Sequence, residues 1–117
     1  MTLKKIAEIL KANVISNSDN LEDINIQWAC SADLMSDVLF YYAPHSILIT
    51  GLTQPHVVTT AEIAGIKSIV FVQNKKPAKE TVELAKQKRI ALLTTPHCMY
   101  VASGKLFQEG LPGCPKK

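Results

Sequence analysis

The sequence predicts an α/β fold: a single domain whose mostly parallel sheet of four to five strands has helices on both faces. The runs at residues 47–49, 68–72 and 90–93 are apolar except for Ser68, which is typical of strands that are buried on both sides. Segments with the apolar spacing of helices separate these runs, and this alternation indicates parallel strands joined by right-handed crossovers. A chain of 117 residues is long enough for one such domain with a buried core.

The N-terminal part of the chain predicts a helix and then a strand. Thr2 can cap a helix over residues 3–12, because apolar side chains recur there at spacings of three and four. The polar residues 17–20 predict a turn. From Ile24 to Cys30 apolar and polar residues alternate, so we expect a strand with one buried face near an edge of the sheet.

Four more helices are predicted after this strand. The first is capped by Ser31 or Asp33 and runs to about Tyr42, and Pro44 ends it. The other three cover residues 55–64, 78–88 and 96–107. Gly65 is suited to the C-cap of the second of these four helices. Strands and helices together make four successive β–α units.

The end of the chain differs from the rest in composition. Residues 109–117 contain too much glycine and proline for a regular element. We therefore place the α/β domain at residues 1–108 and expect a flexible C-terminal tail at 109–117. The sequence shows no linker that would divide the domain.

The composition argues against several classes of protein. The net charge is only +3 and the lysines are dispersed, which does not favour nucleic acid as a partner. No apolar run approaches the roughly 20 residues that a membrane-spanning helix needs, and the amphipathic start is unlike a signal peptide. Cys30, Cys98 and Cys114 form no C-x-x-C pair, which indicates reduced thiols. We therefore expect a cytoplasmic protein without a membrane or nucleic-acid partner.

A pattern of strand, threonine, proline and histidine occurs twice in the chain. The run 47–49 leads through Thr50 to Pro55-His56, and the run 90–93 leads through Thr94 to Pro96-His97. If both strands lie in one parallel sheet, two helix N-termini and two imidazoles face the same edge, where open α/β sheets bind ligands. The candidate ligand-binding residues are Thr50, Gly51, Thr53, Gln54, His56, Thr94, Thr95 and His97.

Each of these candidates also has a structural explanation. A Pro-His pair can simply start a helix with its imidazole at the surface, and N-capping already explains Thr95. Cys30, His56, His97 and Cys98 are all predicted near the C-terminal ends of strands and could form a metal site, but their spacing has no metal-site signature. Cys98, in a first helical turn, is either a reactive thiol or a small apolar residue. We predict no metal and no cofactor.

The sequence lacks the common catalytic signatures. It contains no G-x-x-x-x-G-K-[ST], G-x-G-x-x-G, G-x-S-x-G or H-E-x-x-H motif. Asp33 and Asp37 share a predicted helix face, and helix capping is the better explanation of Asp33. We therefore predict no catalytic residues and interpret the chain as a binding or regulatory module, not an enzyme.

The helix around Phe40-Tyr41-Tyr42 is apolar over most of its circumference. One face can pack on the core, which leaves aromatic surface for a second copy of the chain. The alternative is a helix that is buried on both sides. Because a domain of this size has little interior, we favour self-association.

Four phrases of the sequence resemble the DRTGG domain family. They are residues 33–39, SILITG at 46–51, AGIKSIVF at 64–71 and AKQKRIALLTTP at 85–96, and the resemblance extends over residues 3–107. It implies a compact α/β unit without catalytic activity of its own. Such domains occur in phosphotransacetylase-type enzymes and between CBS domains in pyrophosphatases, and they are similar to the N-terminal domain of HPr kinase/phosphorylase.

The resemblance also implies a regulatory or assembly role and frequent homodimerisation. Stand-alone members that this chain resembles occur in anaerobic bacteria, sometimes alongside iron hydrogenase genes. At residues 51–56 this chain lacks the acidic–basic pair that many members carry, so the resemblance implies no binding specificity.

We therefore expect a non-catalytic, homodimeric regulatory domain of the DRTGG type that senses a small anionic effector such as a nucleotide. One alternative is a purely structural dimerisation or assembly scaffold for a partner enzyme, including a hydrogenase-related one. The other is a small metal- or thiol-dependent enzyme.

Overall fold

Five strands form one sheet in the computed structural model, which describes residues 1–17, 19–41 and 43–115. They are β1 (Asn13–Ser16), β2 (Trp28–Ser31), β3 (Ser46–Thr50), β4 (Ser68–Phe71) and β5 (Ala91–Thr94). Their order in the sheet is β1-β5-β4-β3-β2. Strands β2 to β5 are parallel, and β1 pairs antiparallel with β5. The predicted α/β fold with a mostly parallel sheet is confirmed.

Helices cover both faces of this sheet. The helices of the described residues are α1 (Leu3–Leu10), α2 (Met35–Tyr41), α3 (His56–Ala64), α4 (Lys79–Lys88) and α5 (Met99–Gln108), with a short 3₁₀ turn at Leu21–Asp23. Since β2 to β5 follow the chain order across the sheet, right-handed crossovers put α2, α3 and α4 on one face. Helices α1 and α5 contact each other on the opposite face.

The core has two parts, one on each face of the sheet. On one face, α1 and α5 cover a cluster that contains Ile47, Ile49 and Leu106. On the other, α2, α3 and α4 cover a cluster that contains Leu48 and Phe71. In β3, alternate side chains therefore enter different clusters, and both are apolar. This is why the central strands appear in the sequence as continuous apolar runs.

Two predicted helix caps are present. The hydroxyl oxygen of Thr2 accepts a hydrogen bond from the Lys5 amide at 3.1 Å and caps α1. Gly65 ends α3 with a φ of 75°, a left-handed conformation that glycine adopts without steric cost. Helix α3 therefore has the C-terminal boundary that the sequence predicts.

Other predicted boundaries were wrong. Strand β1 was not predicted, because Val14 and Ile15 are adjacent apolar residues in a short segment without alternation. The strand predicted from Ile24 begins only at Trp28. Helix α5 begins at Met99 and not at Pro96, since Cys98 has an extended backbone with a ψ of 169°. Helix α2 covers Met35–Tyr41, and its predicted end at Tyr42 lies outside the described residues.

The described part of the C-terminal tail packs against the domain. Leu111 is only 3% exposed and joins the cluster under α1 and α5. Gly113 pairs with Ala29 of β2 in an isolated parallel bridge. The flexibility that the sequence predicts for residues 109–117 stays a prediction, and residues 116 and 117 lie outside the described residues.

Candidate functional site

The two Pro-His turns follow strands that end at the same edge of the sheet. The register places Thr50 of β3 beside Phe71 of β4, and Phe71 beside Thr94 of β5. Strand β4 therefore lies between the two turns. Both strands belong to one parallel sheet, so the two turns share an edge. The turns are nevertheless two strands apart, and the helices that follow them, α3 and α5, cover opposite faces.

The loop between β4 and α4, residues 72–78, is hydrogen-bonded to the turn after β3. The Val72 amide donates to the Thr50 carbonyl at 3.1 Å, and the Ala78 amide donates to the Thr53 carbonyl at 3.1 Å. The Thr53 carbonyl also accepts from the Thr81 hydroxyl at 2.7 Å. These bonds fix one side of the loop to the first Pro-His turn.

The same loop is also bonded to the turn after β5. Gln73 and Asn74 have left-handed backbones, with φ of 58° and 55°. Their amides donate to the carbonyls of His97 (2.9 Å) and Thr95 (2.8 Å). The 72–78 loop therefore connects the two turns, and any ligand that contacts both must lie across this loop.

The carboxylate of Asp33 accepts hydrogen bonds from two donors at the end of β3. Asp33 Oδ1 accepts from the Thr50 hydroxyl at 3.0 Å and from the Gly51 amide at 2.8 Å. The Thr50 hydroxyl oxygen in turn accepts from the Leu52 amide at 3.2 Å. The sequence analysis explained Asp33 by helix capping. In the structure its carboxylate holds the turn after the neighbouring strand.

A lysine that the sequence analysis did not single out lies beside this aspartate. A Cβ placed on Gly51 would lie 3.1 Å from Lys75 Nζ and 3.6 Å from Asp33 Oδ1. Gly51 is therefore flanked by one cation and one anion. The signal in the sequence was the group of lysines at positions 75, 76 and 79. The fold brings one of its lysines to the site.

The hydroxyls of the two candidate threonines after β5 have structural partners. Thr94 Oγ1 donates to the Lys75 carbonyl at 2.8 Å. Thr95 Oγ1 donates to the Leu10 carbonyl at 2.6 Å and accepts from the His97 amide at 3.3 Å. Both side chains are buried. These hydroxyls position the loops and the end of α1.

The two histidines differ in their surroundings. His56 is the first residue of α3 and is exposed, as is Gln54 just before it. His97 precedes α5 and is half-buried, and its Nε2 is buried without a hydrogen-bond partner among the described residues. The part of the predicted site with accessible polar side chains is therefore the first turn, from Thr53 to His56.

Comparison with known families identifies the domain. The family model of the DRTGG domain matches residues 5–108, which is most of the chain. The chain belongs to the DRTGG domain family. A comparison with curated protein sequences gave no match.

A solved structure has a similar fold to this DRTGG domain. It is described as the CBS and DRTGG domains of the regulatory region of a Clostridium perfringens pyrophosphatase, complexed with the activator diadenosine tetraphosphate. The TM-score is 0.68, the sequences are 22% identical, and the match covers 92% of this chain and 46% of that one. This likeness supports the fold, and the DRTGG domain spans less than half of the relative's length.

The metal site considered for the DRTGG domain is not assembled. Among residues 1–17, 19–41 and 43–115, no three side chains from His, Cys, Asp and Glu are grouped so that they could hold a metal ion. None of the helices in this described part of the chain has the length and apolar character needed to cross a bilayer.

Helix α2 of the DRTGG domain exposes apolar surface, in agreement with its sequence pattern. The side chains of Phe40 and Tyr41, and of Leu34 just before the helix, are exposed, and the two aromatic rings pack edge to face with centroids 4.8 Å apart. Val38 on the same helix is fully buried. One side of α2 therefore belongs to the core and the other faces solvent. Self-association through this surface stays a prediction.

The DRTGG domain has a second apolar surface that the sequence analysis did not identify. A cavity of about 730 Å³ lies between α5, β2 and the C-terminal segment. Tyr100 and Phe107, which line it, are 79% and 73% exposed. Ser31 and Ser103, also in its lining, are joined by a hydrogen bond of 2.6 Å. The signal was that the predicted last helix carries more apolar residues than one core-facing side requires.

Proposed function

We propose that this DRTGG domain is a non-catalytic regulatory module that binds a small anionic effector, such as a nucleotide, at the carboxyl edge of its sheet. It acts as a cytoplasmic homodimer and transmits the state of the site to a partner enzyme. Membership of the DRTGG family supports the regulatory role. The similarly folded pyrophosphatase region binds a nucleotide activator, which supports a nucleotide as the effector class.

The observation that carries the proposal is the position of Lys75. Its ammonium group lies against Gly51, at the end of β3 and just before the start of α3. The turn that begins at Gly51 leads into α3, and a lysine charge and a helix dipole both attract phosphate. The Gly51 amide already donates a hydrogen bond to Asp33. The effector phosphate would therefore contact Lys75 from the side away from Asp33.

The proposed site divides the predicted residues into two roles. Thr53, Gln54 and His56 contact the effector, because they lie in the accessible first turn. The remaining residues hold the surrounding loops through the hydrogen bonds of the carboxyl edge: Thr50, Gly51, Thr94, Thr95 and His97. A ligand that spans both turns, as a dinucleotide polyphosphate could, would cross the 72–78 loop.

A thermal-shift and calorimetry series tests this function. The ligands are phosphate, adenine and guanine mononucleotides and diadenosine tetraphosphate. A ligand at 100 times its Kd stabilises the native state by about 2.7 kcal/mol, so binding should raise the melting temperature by several degrees. Lys75→Met and His56→Ala should each reduce the shift. Lys76→Met, the neighbouring exposed lysine, is the matched control and should retain it.

Two results would contradict the proposal. If no phosphate-containing ligand shifts the melting temperature at millimolar concentration, the carboxyl edge is not an anion site. A shift that Lys75→Met and Lys76→Met reduce equally would indicate general attraction to a basic surface and would also contradict the proposed site.

The exposed side of α2 favours a second candidate function. A structural scaffold needs a self-association surface and no effector, and Leu34, Phe40 and Tyr41 offer exposed apolar area for one. In this alternative the domain would assemble a partner enzyme, including a hydrogenase-related one. A dimer that binds none of the ligands above would support the scaffold.

A further inference from the structure

The C-terminal segment brings a second cysteine beside Cys30 of β2. Gly113 pairs with Ala29 in a parallel bridge, in which the Ala29 amide donates to the Pro112 carbonyl at 2.9 Å and the Cys114 amide donates to the Ala29 carbonyl at 3.2 Å. Side chains alternate between the two faces along paired strands. Cys30 and Cys114, each one residue beyond the bridge, therefore lie on the same face of the sheet.

The thiols of Cys30 and Cys114 contact each other. Their hydrogen bond is the main reason why the pKa of Cys30 is raised above its ordinary value, and partial burial is the next. Cys114 Sγ also lies 3.2 Å from the Ser46 hydroxyl oxygen. Both cysteines are in the thiol form. The two sulfur atoms are therefore held together by the fold.

Backbone spacing at this point suits a covalent bond. Paired strands lie about 4.8 Å apart, and the Cα atoms of a disulfide are typically roughly 4.4–6.8 Å apart. Both cysteines also line a cavity of about 250 Å³ together with Asp37 and Tyr41. A small reagent can therefore approach the two sulfur atoms from this side.

We propose that Cys30 and Cys114 form a reversible disulfide that fastens the C-terminal segment to β2. The oxidant is a low-molecular-weight disulfide, RSSR, such as oxidised glutathione. One protein thiolate attacks a sulfur of RSSR and releases the first RS⁻, and the second protein thiolate then attacks that mixed disulfide and releases the second. Two protein thiols lose two electrons and two protons, and RSSR becomes two RSH.

The disulfide between Cys30 and Cys114 would affect the large cavity beside α5. Leu111 and Gly113 of the C-terminal segment line the large cavity beside α5. The disulfide fixes this wall of the cavity to β2 covalently, and reduction leaves it held by the backbone hydrogen bonds to Ala29, the contacts of the Cys114 thiol and the burial of Leu111. The pair is therefore a redox modification site that controls one wall of an apolar groove.

The third cysteine provides an internal control. Cys98 is exposed just before α5 and does not line the cavity that contains Cys30 and Cys114. The reduced 117-residue protein is incubated with oxidised glutathione. The remaining thiols are blocked with iodoacetamide, and the products are identified by peptide mass spectrometry. The same reaction is run in concentrated urea, where the fold no longer selects the pair.

The expected native product has a Cys30–Cys114 disulfide and a separate glutathione adduct on Cys98. In urea this preference should be lost. Cys30→Ser and Cys114→Ser should each carry a glutathione on the remaining partner, because no second thiol resolves it. Since the native reaction uses the wild-type chain, poor folding of a variant does not affect the result.

Two results would overturn the inference. One is that Cys30 and Cys114 are both alkylated under conditions in which Cys98 has become fully glutathionylated. The other is that either member of the pair keeps a stable glutathione adduct in the native wild-type protein, since a correctly placed partner would displace it.

Discussion

Asp33 Oδ1 lies 2.8 Å from the amide nitrogen of Gly51, so that a carboxylate from the segment before α2 closes the turn at the end of β3. The same oxygen accepts from the Thr50 hydroxyl. This aspartate therefore places a negative charge where the backbone of a neighbouring strand offers donors. An anionic effector at this edge has to bind next to the carboxylate of Asp33. Lys75 is the nearby cation that can interact with both the effector and Asp33.

Replacing Asp33 with asparagine should separate the hydrogen bonding of this side chain from the effect of its negative charge. Asp33→Asn keeps an acceptor oxygen but removes the charge, and hydrogen bonds to charged groups contribute roughly 1.5–3 kcal/mol when well formed. Because Asp33 is exposed, we expect a loss of about 1 kcal/mol in the free energy of unfolding, measured by urea denaturation. Affinity for the anionic effector should rise several-fold. Asp37→Asn, an exposed aspartate on α2, should leave the affinity unchanged.

Gly51→Ala should affect binding more than stability. The backbone at Gly51 lies outside the left-handed region, so alanine introduces no backbone strain. The new Cβ would lie 3.1 Å from Lys75 Nζ, which can move because it is the end of a flexible side chain. We expect less than about 1 kcal/mol of destabilisation and a clear loss of anion affinity in calorimetry.

Gly104→Ala is the matched control for this substitution. No atom lies within 4 Å of its added Cβ, and Gly104 is within α5. Alanine there should stabilise the domain by about 0.5–1 kcal/mol through helix propensity and leave anion affinity unchanged. Equal affinities for both variants would exclude Lys75 from the site.

Thr95→Val should be clearly destabilising although it conserves shape. It removes the bond from Thr95 Oγ1 to the Leu10 carbonyl and leaves a buried acceptor at the end of α1 without this donor. Leaving a buried polar group unsatisfied costs about 1–3 kcal/mol, which urea denaturation would measure. Thr59→Val, on the exposed side of α3, should change stability by less than about 0.5 kcal/mol. A similar small effect at both positions would show that the Thr95 bond contributes little.

Phe40→Ser tests the apolar surface of α2. Since Phe40 is 59% exposed, its loss should hardly change the stability of the monomer. It should weaken self-association by at least tenfold, which corresponds to about 1.4 kcal/mol, as measured by sedimentation equilibrium. Phe107→Ser, on the opposite face, is the control. If Phe107→Ser dissociates the dimer and Phe40→Ser does not, the interface lies along α5.

Leu111→Ala measures how firmly the C-terminal segment packs. Leu111 is almost completely buried, and replacing a buried leucine with alanine typically costs about 2–5 kcal/mol. We expect a loss near the lower end, because the segment can detach without unfolding the sheet. Pro115→Ala, at an exposed position of the same segment, should have little effect. A flexible tail, as the sequence alone predicts, would make both substitutions neutral in thermal denaturation.

The sequence allowed the layers of the fold to be predicted better than the site. Buried strands such as β3 are recognisable because both faces contact apolar clusters. The hydrogen bond between Asp33 and Gly51 joins residues 18 positions apart and depends on the alignment of β2 with β3, which no local pattern encodes. Lys75 was missed for the same reason.

The repeated Pro-His pattern indicated the edge of the sheet at which both turns lie, but not how far apart they are. Both Pro-His turns lie at the carboxyl edge, as their position after strands indicated. The sequence could not show that β4 separates them, because strand order is decided by long-range packing. It also could not distinguish the exposed His56 from the half-buried His97, since both follow the same local motif.

The bridge between Ala29 and Gly113 also bears on how the domain behaves in concentrated solution. Strand β2 ends the sheet on one side, and an uncovered edge strand is a template for strand addition from another molecule. The backbone of the C-terminal segment takes up the amide and carbonyl of Ala29. This segment therefore covers part of the edge of β2, and we expect a chain shortened before it to be more prone to edge-to-edge aggregation.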